Sequence, residues 1–289
     1  LKLDNSRRTV IKSVEALKAD RNYYSKEIAK QKQAGKNCDS EIKSMQKVSN
    51  TIKGYDLELK QVNDKLKQLL LFVPNIPHTS VPKGKTEEEN VLVKEWGKKP
   101  DFSFPKRDHI FLSEKHSLVD FKRGAKISGS GYPLYVDRGA RLERALINYM
   151  MDHHSSNNFI EIFPPFLVNE SSVLTTGQLP KFKDDMYYID KDDMYCISTA
   201  EVPVTNVHKD EVLDKDDLPI QYAAYSACFR REAGSYGKDT KGLLRLHQFN
   251  KVELVKFVTP ETSYDERESL TAQAEEILQL LNLPYRVLS

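Results

Sequence analysis

The fold of this chain is decided by residues 229–254, which read FRREAGSYGKDTKGLLRLHQFNKVEL. The run from Tyr222 to Glu232 predicts a strand, residues 233–242 predict a Gly-rich polar loop, and Leu243 to Phe257 predict a second, long strand. Together they predict an antiparallel hairpin with an unusually large loop. Because long loops in compact domains are often functional, we expect this hairpin to carry a ligand site.

One face of the second predicted strand carries a row of polar and aromatic side chains. Side chains two residues apart share a face of a strand, and here they are Arg245, His247, Phe249, Lys251 and Glu253. The other face is mainly apolar but includes Gln248 and Asn250, and on the first strand Arg230 and Glu232 share a face. Such a row is costly to bury unless it meets a ligand.

The chemistry of this row suits an aminoacyl-adenylate. Arginine can bind phosphate oxygens bidentately, an aromatic ring can stack on a base, and a carboxylate can hold an ammonium group. Phe249 and Glu253 are about 13 Å apart along an extended strand, which matches the reach of such a ligand. The sequence has neither a GxxxxGK[ST] phosphate loop nor a convincing dinucleotide fingerprint, so the sheet itself would have to hold the nucleotide.

Two segments upstream of the hairpin add to this picture. Residues 195–203 predict a strand, in which Thr199 and Glu201 share a face and could bind an ammonium or hydroxyl group of a small ligand. An equally good interpretation is that these residues are simply the solvated end of a strand. Ala140 to His153 predict an amphipathic helix, and 159–163 predict a strand that Pro164 and Pro165 end.

The first seventy residues follow a different pattern, with apolar positions at heptad spacing. The two predicted seams comprise Leu3, Arg7, Val10, Val14, Leu17, Arg21, Tyr24 and Ile28, and then Met45, Val48, Ile52, Tyr55, Leu59, Val62, Leu66 and Leu69. Between them, Gly35 can end one helix, and Asn37, Asp39 or Ser40 can cap the next. We therefore predict an antiparallel two-helix arm about 45 Å long. A dimerisation coiled coil is the alternative, disfavoured by the short connection and by the two seam arginines.

Charge separates the arm from the rest of the chain. Residues 1–70 contain 16 Lys and Arg against 9 Asp and Glu, a net charge of +7, whereas the remainder carries 28 against 33, a net charge of −5. This asymmetry favours an anionic partner for the arm alone. Prolines after Val73 end the arm. We divide the chain into an arm at 1–73, a linker at 74–106, in which 91–96 can form a short strand, and a catalytic domain at 107–289.

Composition excludes several classes of protein. No run approaches 18 uncharged apolar residues, which argues against a membrane span. The cysteines at 38, 196 and 228 form no CxxC pair, which argues against a disulfide framework or zinc site and favours a reducing compartment.

Residues 229–254 closely resemble motif 2 of the seryl-tRNA synthetases, a family of class II aminoacyl-tRNA synthetases. Residues 199–203 are similar to that family's serine-binding segment, and 176–182 and 74–78 also resemble family segments. The resemblance extends from near residue 3 to residue 289. It implies an α+β fold, with an antiparallel class II sheet, surrounding helices and an N-terminal antiparallel coiled-coil arm. It further implies an ATP-dependent serine–tRNA ligase.

The resemblance implies a role for each matching residue. Serine would be bound by Thr199, Ala200, Glu201, Arg230 and Glu253. ATP would be bound by Arg230, Arg231, Glu232, Arg245, Leu246, His247, Gln248 and Phe249. Arg230 and Glu232 would be the catalytic residues, with Arg230 bridging the α-phosphate and the serine carboxylate, and Phe249 would stack on adenine.

The same resemblance implies ATP and Mg²⁺ as cofactors, without indicating the metal ligands, and a serine tRNA whose long variable arm meets the helical arm. It also implies a cytoplasmic homodimer without a membrane partner. The family's short N-terminal segment and its C-terminal segment with motif 3 lie outside these residues, so we expect the sequence to be part of a longer protein. The alternatives are a non-catalytic tRNA-binding paralogue and a coiled-coil interaction protein.

Overall fold

The computed structural model describes residues 1–232 and 241–289. These residues form two units, Leu1–Ile76 and Pro77–Ser289. Most of the loop predicted at 233–242 lies outside the described residues.

The first unit is a pair of long helices, α1 (Lys2–Gln33) and α2 (Asp39–Leu70). They run antiparallel, and an ion pair between Lys18 and Asp56, 3.0 Å apart, links them. The predicted seams are confirmed along most of their length: Val10, Val14 and Ile52 are buried, and most of the other seam residues are half-buried. Two seam positions are exposed: Tyr24, and Leu69 in the last turn of α2.

The turn between the two helices depends on Gly35, as predicted. Gly35 has a φ of +74°, a conformation that glycine adopts without strain. The next amide, that of Lys36, donates to the carbonyl oxygen of Gln31 at 3.1 Å and so satisfies the end of α1. Before α2, the side-chain oxygen of Asn37 accepts the backbone N–H of Asp39 at 2.9 Å.

The second unit is an α+β arrangement of small sheets surrounded by helices. Its helices are His109–Lys115 (α3), Phe121–Ser128 (α4), Arg138–Ser156 (α5), Glu170–Thr175 (α6), Glu201–Thr205 (α7) and Ser263–Leu280 (α8). Its strands are Leu92–Trp96 (β1), Val119–Asp120 (β2), Leu134–Tyr135 (β3), Ile160–Ile162 (β4), Leu167–Asn169 (β5), Tyr188–Ile189 (β6), Met194–Cys196 (β7), Ile220–Phe229 (β8), Gln248–Phe257 (β9) and Tyr285–Leu288 (β10).

The hairpin predicted from residues 222–257 is the centre of this unit. Strands β8 and β9 pair antiparallel in continuous register from Ile220 opposite Phe257 to Phe229 opposite Gln248. On one face of the sheet, a core cluster joins Met151 of α5 with Phe159 and with Ala223 of β8. The predicted helix and strand upstream of the hairpin are therefore present, as α5 and β4.

Two features of this sheet differ from the prediction. First, β4 runs parallel to β8, although we predicted an antiparallel sheet; residues 163–219 provide the long connection that a parallel pair requires. Second, both hairpin strands are shorter than predicted, because β8 ends at Phe229 and β9 begins at Gln248. One further backbone bond, from Arg230 N–H to the carbonyl oxygen of His247 at 3.0 Å, extends the ladder. Beyond this bond the two strands separate, because the Arg231 N–H donates to the carbonyl oxygen of Asp185 instead. The next residue, Glu232, has a φ of +51°.

The first and last strands of this unit pair with each other. Strand β1 lies antiparallel to β10, and the rings of Trp96 and Tyr285 stack with centroids 5.8 Å apart. Lys94 of β1 forms an ion pair of 2.6 Å with Glu275 of α8. The short strand predicted at 91–96 is confirmed as β1, and it belongs to the second unit although it lies in the stretch that we assigned to the linker.

Within the described ranges, no helix is both long and apolar enough to cross a membrane. The three cysteines are free thiols.

Candidate active site

A cavity of about 370 Å³ opens beside the hairpin, where β8 and β9 begin to separate. Eight of its ten lining residues are polar or charged; the lining consists of Gln178, Phe182, Asp185, Met186, Ser198, Thr199, Glu201, Arg230, Glu232 and Lys251. Four of the residues predicted to bind serine or ATP are thus brought together by the fold: Thr199, Glu201, Arg230 and Glu232. Two cationic side chains and several carboxylates share this cavity, so it suits a ligand that carries charges of both signs.

Glu253 is connected to the residues that line the cavity through a hydrogen bond with Thr199. The Thr199 hydroxyl donates to Glu253 Oε2 at 2.7 Å, and it accepts from Lys251 Nζ at 2.6 Å. Lys251 also forms an ion pair with Glu253. Because Lys251 and Glu253 reach the same hydroxyl, the predicted alternation along β9 is confirmed here. A carboxylate and a hydroxyl that lie side by side in this way are partners for an ammonium group.

Arg230 lies at the other side of this cluster. Its Nε donates to the carbonyl oxygen of Ser198 at 3.3 Å, and its guanidinium carbon lies 5.1 Å from the ring centroid of Phe249. Phe249 therefore shares a face of β9 with Lys251 and Glu253, as predicted. These contacts hold the guanidinium against the aromatic ring that we predicted to meet a base.

The prediction that Thr199 and Glu201 lie along a strand was wrong. Strand β7 ends at Cys196, and the short helix α7 begins at Glu201. The Thr199 hydroxyl accepts the Glu201 N–H at 3.1 Å, which satisfies an amide of the first turn. Both side chains still line the cavity, but the hydroxyl is buried and the carboxylate is exposed. Ala200 is fully buried in a core cluster with Val204 of α7.

The predicted outer-phosphate residue, Arg245, pairs with a carboxylate. Its guanidinium lies 3.1 Å from Glu232 Oε2, and its side chain remains half exposed. Arg231 extends toward Tyr187, with its guanidinium carbon 5.8 Å from the ring centroid.

His247 faces a group of aromatic residues. Its Nδ1 lies 3.0 Å from the carbonyl oxygen of Arg230 and 3.2 Å from the hydroxyl of Tyr187. Its ring stacks on Tyr132 at 5.2 Å, and the two tyrosine hydroxyls are 2.7 Å apart. Gly131 accepts the His247 N–H at 3.0 Å. The imidazole therefore contacts the backbone of Arg230 rather than the cavity.

The remaining predicted nucleotide residues take different positions. Leu246 is buried, at 7% exposure. Gln248 and Phe249 line a separate cavity of about 190 Å³, together with residues 132–135 of the strand β3 region.

Sequence reasoning assigned no role to Lys251, Tyr132 or Tyr187, although all three contact predicted site residues. Lys251 was visible in the polar row along β9. The two tyrosines carry no sequence signal, because they come from elements 60 to 115 residues away in the chain from His247. The structure alone identifies them.

Metal binding gains no support from the described ranges. Within 1–232 and 241–289, no group of three or more His, Cys, Asp or Glu side chains is arranged to hold a metal ion.

Helices around an antiparallel hairpin, with an arginine and carboxylates at one cavity and an aromatic ring packed against that arginine, are typical of a class II aminoacyl-tRNA synthetase core. Residues 181–289 match the family described as the tRNA synthetase class II core domain (G, H, P, S and T), and residues 1–77 match the seryl-tRNA synthetase N-terminal domain. The chain belongs to the seryl-tRNA synthetase family.

Individual relatives agree with this assignment. The chain is 54% identical to the serine–tRNA ligase of Chloroherpeton thalassium, with all of this chain and 68% of that protein aligned. It is 53% identical to that of Exiguobacterium sibiricum, over 99% of this chain and 68% of that protein. It therefore spans about two thirds of the length of these relatives.

Solved structures resemble the whole chain. A seryl-tRNA synthetase from Pyrococcus horikoshii, complexed with ATP, superposes with a TM-score of 0.93 at 34% identity, over 100% of this chain and 69% of that one. A cytoplasmic serine–tRNA ligase from Naegleria fowleri, in complex with AMP, gives a TM-score of 0.86 at 27% identity. The match covers 99% of this chain and 66% of that one.

Proposed function

We propose that this chain activates serine with ATP to form seryl-adenylate and transfers the seryl group to serine tRNA. The observation that carries the proposal is the group of Thr199 and Arg230 at one cavity, with Glu253 hydrogen-bonded to Thr199 and Phe249 packed against the arginine. It provides partners for an ammonium, a carboxylate or phosphate, and a base. The names of the relatives and the ATP and AMP of the solved neighbours support the same activity.

The serine ammonium would bind between Glu253 and Thr199, whose side-chain oxygens lie 2.7 Å apart. Glu201 and the backbone near Ala200 would complete the pocket. A site built to hydrogen-bond a small polar side chain rejects analogues that lack the hydroxyl, because its buried polar groups would then lose their partners.

ATP would bind along the Arg230 side of the cavity. Adenine would stack on Phe249, and Leu246 and Gln248 would border the nucleoside. Arg231, Glu232 and Arg245 would contact the phosphates, with the Arg245–Glu232 pair rearranging to release the guanidinium. His247 would act within this segment through its contact with the backbone of Arg230.

The first step would be an in-line attack of the serine carboxylate on the α-phosphate, which releases pyrophosphate. Arg230 would neutralise the charge that accumulates on the reacting groups, and Glu232 would act beside it. Catalysis would then consist of positioning and electrostatic stabilisation, with no covalent enzyme intermediate. Mg²⁺ would accompany ATP, with ligands that we do not assign.

The two-helix arm would bind the long variable arm of the serine tRNA. Its net charge of +7 over residues 1–70 supplies attraction for phosphates, and shape would direct the recognition. A homodimer would form through α5 and β4, where Leu142, Tyr149 and Ile160 are exposed apolar side chains. Three free thiols suit the reducing cytoplasm.

Serine-dependent ATP–pyrophosphate exchange by the full-length protein tests the proposal. Exchange that requires serine, and that threonine or alanine does not replace, is the expected result. The competing function is a tRNA-binding paralogue without catalysis, which would bind serine tRNA but show no exchange.

A further inference from the structure

An ammonium group already lies at the position that the proposed function gives to the ammonium of serine. Lys251 Nζ contacts the Thr199 hydroxyl at 2.6 Å and is ion-paired with Glu253. Thr199 in turn donates its hydrogen to Glu253, so its oxygen is available as the acceptor for the lysine. The three polar groups satisfy one another without a ligand.

Lys251 is a chemical counterpart of the substrate group. A lysine side chain ends in a positively charged ammonium with three donors, as the free amino group of an amino acid does at neutral pH. Its flexible four-carbon stem lets the charge move to another partner at small cost. The side chains of Lys251 and Glu253 are 32% and 20% exposed, and Lys251 lines the cavity.

We propose that Lys251 is an internal counter-ion, which the ammonium of serine displaces from Glu253 and Thr199, and which then pairs with the carboxylate of the same serine. This inference rests on the proposed function, which it deepens. The exchange keeps the charges balanced. The ammonium of serine pairs with Glu253, and the carboxylate of serine pairs with the released Lys251.

The exchange gives the site a means of selecting zwitterions. A ligand with an ammonium and a hydroxyl but no carboxylate would displace Lys251 and leave it beside Arg230, a second cation that lines the cavity. Three carboxylates line the cavity as well. Glu201 is exposed, so water screens its charge, Glu232 is already paired with Arg245, and Asp185 is half-buried. Such a ligand therefore binds poorly while Lys251 is present.

An ordinary structural ion pair makes a different prediction. If Lys251 only stabilised the position of Glu253, its removal would weaken every ligand of that carboxylate to a similar extent. Displacement instead predicts that its removal affects ligands unequally, according to whether they carry a carboxylate.

The test is calorimetric titration of the full-length protein with serine and with ethanolamine, which has the ammonium and hydroxyl but lacks the carboxylate. In Lys251→Met we expect ethanolamine to bind about tenfold more tightly than in the wild type, the scale of one partly desolvated charge pair. We expect the serine-to-ethanolamine affinity ratio to fall by a similar factor. Lys251→Arg should keep the wild-type ratio.

Lys183→Met is the matched control, because Lys183 is exposed and does not line the cavity; its ratio should equal that of the wild type. If thermal melting shows that K251M is unfolded, Lys251→Gln allows the same comparison. An unchanged ratio in the folded variant, or a parallel loss of both affinities, would overturn the proposal. Failure of the wild type to bind serine at all would instead overturn the proposed function, and this inference with it.

Discussion

The guanidinium of Arg230 lies over the ring of Phe249, with 5.1 Å between the guanidinium carbon and the ring centroid. The cation–π contact joins the residue proposed for the α-phosphate to the residue proposed for adenine. A base that stacks on Phe249 must therefore share the ring with this arginine or displace it. The two halves of the ATP site are coupled through one aromatic side chain.

Phe249→Ala should weaken ATP binding by about 1–3 kcal/mol, the range for stacking of a base on an aromatic side chain. The KM for ATP in pyrophosphate exchange measures this, with serine as the second variable substrate.

Glu253→Ala is the matched comparison and should raise the KM for serine most. Arg230→Ala should raise the KM for both ATP and serine. A serine KM that stays at the wild-type value in Glu253→Ala would contradict our assignment of the serine pocket.

Tyr187→Phe should lower kcat for serine activation about three- to tenfold, the equivalent of one hydrogen bond, with little change in either KM. The reason is that its hydroxyl contacts Tyr132 and His247, which holds the backbone of Arg230. Tyr188→Phe is the control, because that hydroxyl bonds to exposed Asp193. Equal effects of the two substitutions would show that Tyr187 does not position Arg230.

Deletion of the arm from Lys12 through Leu66, with a short bridging linker, should leave serine activation nearly intact. The KM for tRNA should rise steeply, and tRNA binding should become less sensitive to salt, because each lost phosphate contact removes somewhat under one unit of slope. Exchange and aminoacylation rates, measured at several salt concentrations beside sedimentation, check this. A monomeric deletion protein without activation would instead support the dimerisation coiled coil.

Gly139→Ala should destabilise the second unit by about 1–3 kcal/mol. A Cβ at this position in α5 would lie 1.9 Å from the carbonyl oxygen of Leu118, a backbone atom that cannot move aside cheaply. Gly54→Ala in α2 is the contrasting change, since a Cβ there meets nothing within 4 Å. It should stabilise the arm by about 0.5–1 kcal/mol. Denaturant unfolding followed by circular dichroism distinguishes the two, and stabilisation by G139A would show that our account of this contact is wrong.

Glu275→Gln should reduce stability at neutral pH and make unfolding less dependent on acid. The hydrogen bond from Lys94 in the first place, and that from Tyr285, hold the pKa of Glu275 below its ordinary value. A carboxyl group with a lowered pKa in the folded state adds stability above its ordinary pKa, and this stability is lost as the pH falls through the folded value. The difference in melting temperature between wild type and variant should therefore be largest near pH 7 and should shrink below about pH 4. A constant difference across that range would exclude this linkage.

Sequence periodicity predicted the arm and the hairpin well, because both depend on local rules. Heptad spacing placed Val10, Val14 and Ile52 in the seam, and period-two alternation placed Phe249, Lys251 and Glu253 on one face. Resemblance then supplied roles that the alternation alone left open.

Tertiary contacts decided what the sequence could not predict. We predicted residues 195–203 as a strand, but the Thr199 hydroxyl accepts the N–H of Glu201, where the short helix α7 begins. The hairpin strands shorten because the Arg231 amide donates to Asp185, some 46 residues earlier in the chain. The partners of His247 lie on other elements altogether.

The pairing of β1 with β10 has a consequence for synthesis on the ribosome. Trp96 and Tyr285 are opposite each other, so this sheet cannot close until the residues between them have been made. The arm needs only contacts between two neighbouring helices, which form rapidly once both have emerged. We expect the nascent chain to carry a folded basic arm for some time before its catalytic unit is complete. Stalled nascent chains of increasing length, probed by limited proteolysis, would show protection of the arm first.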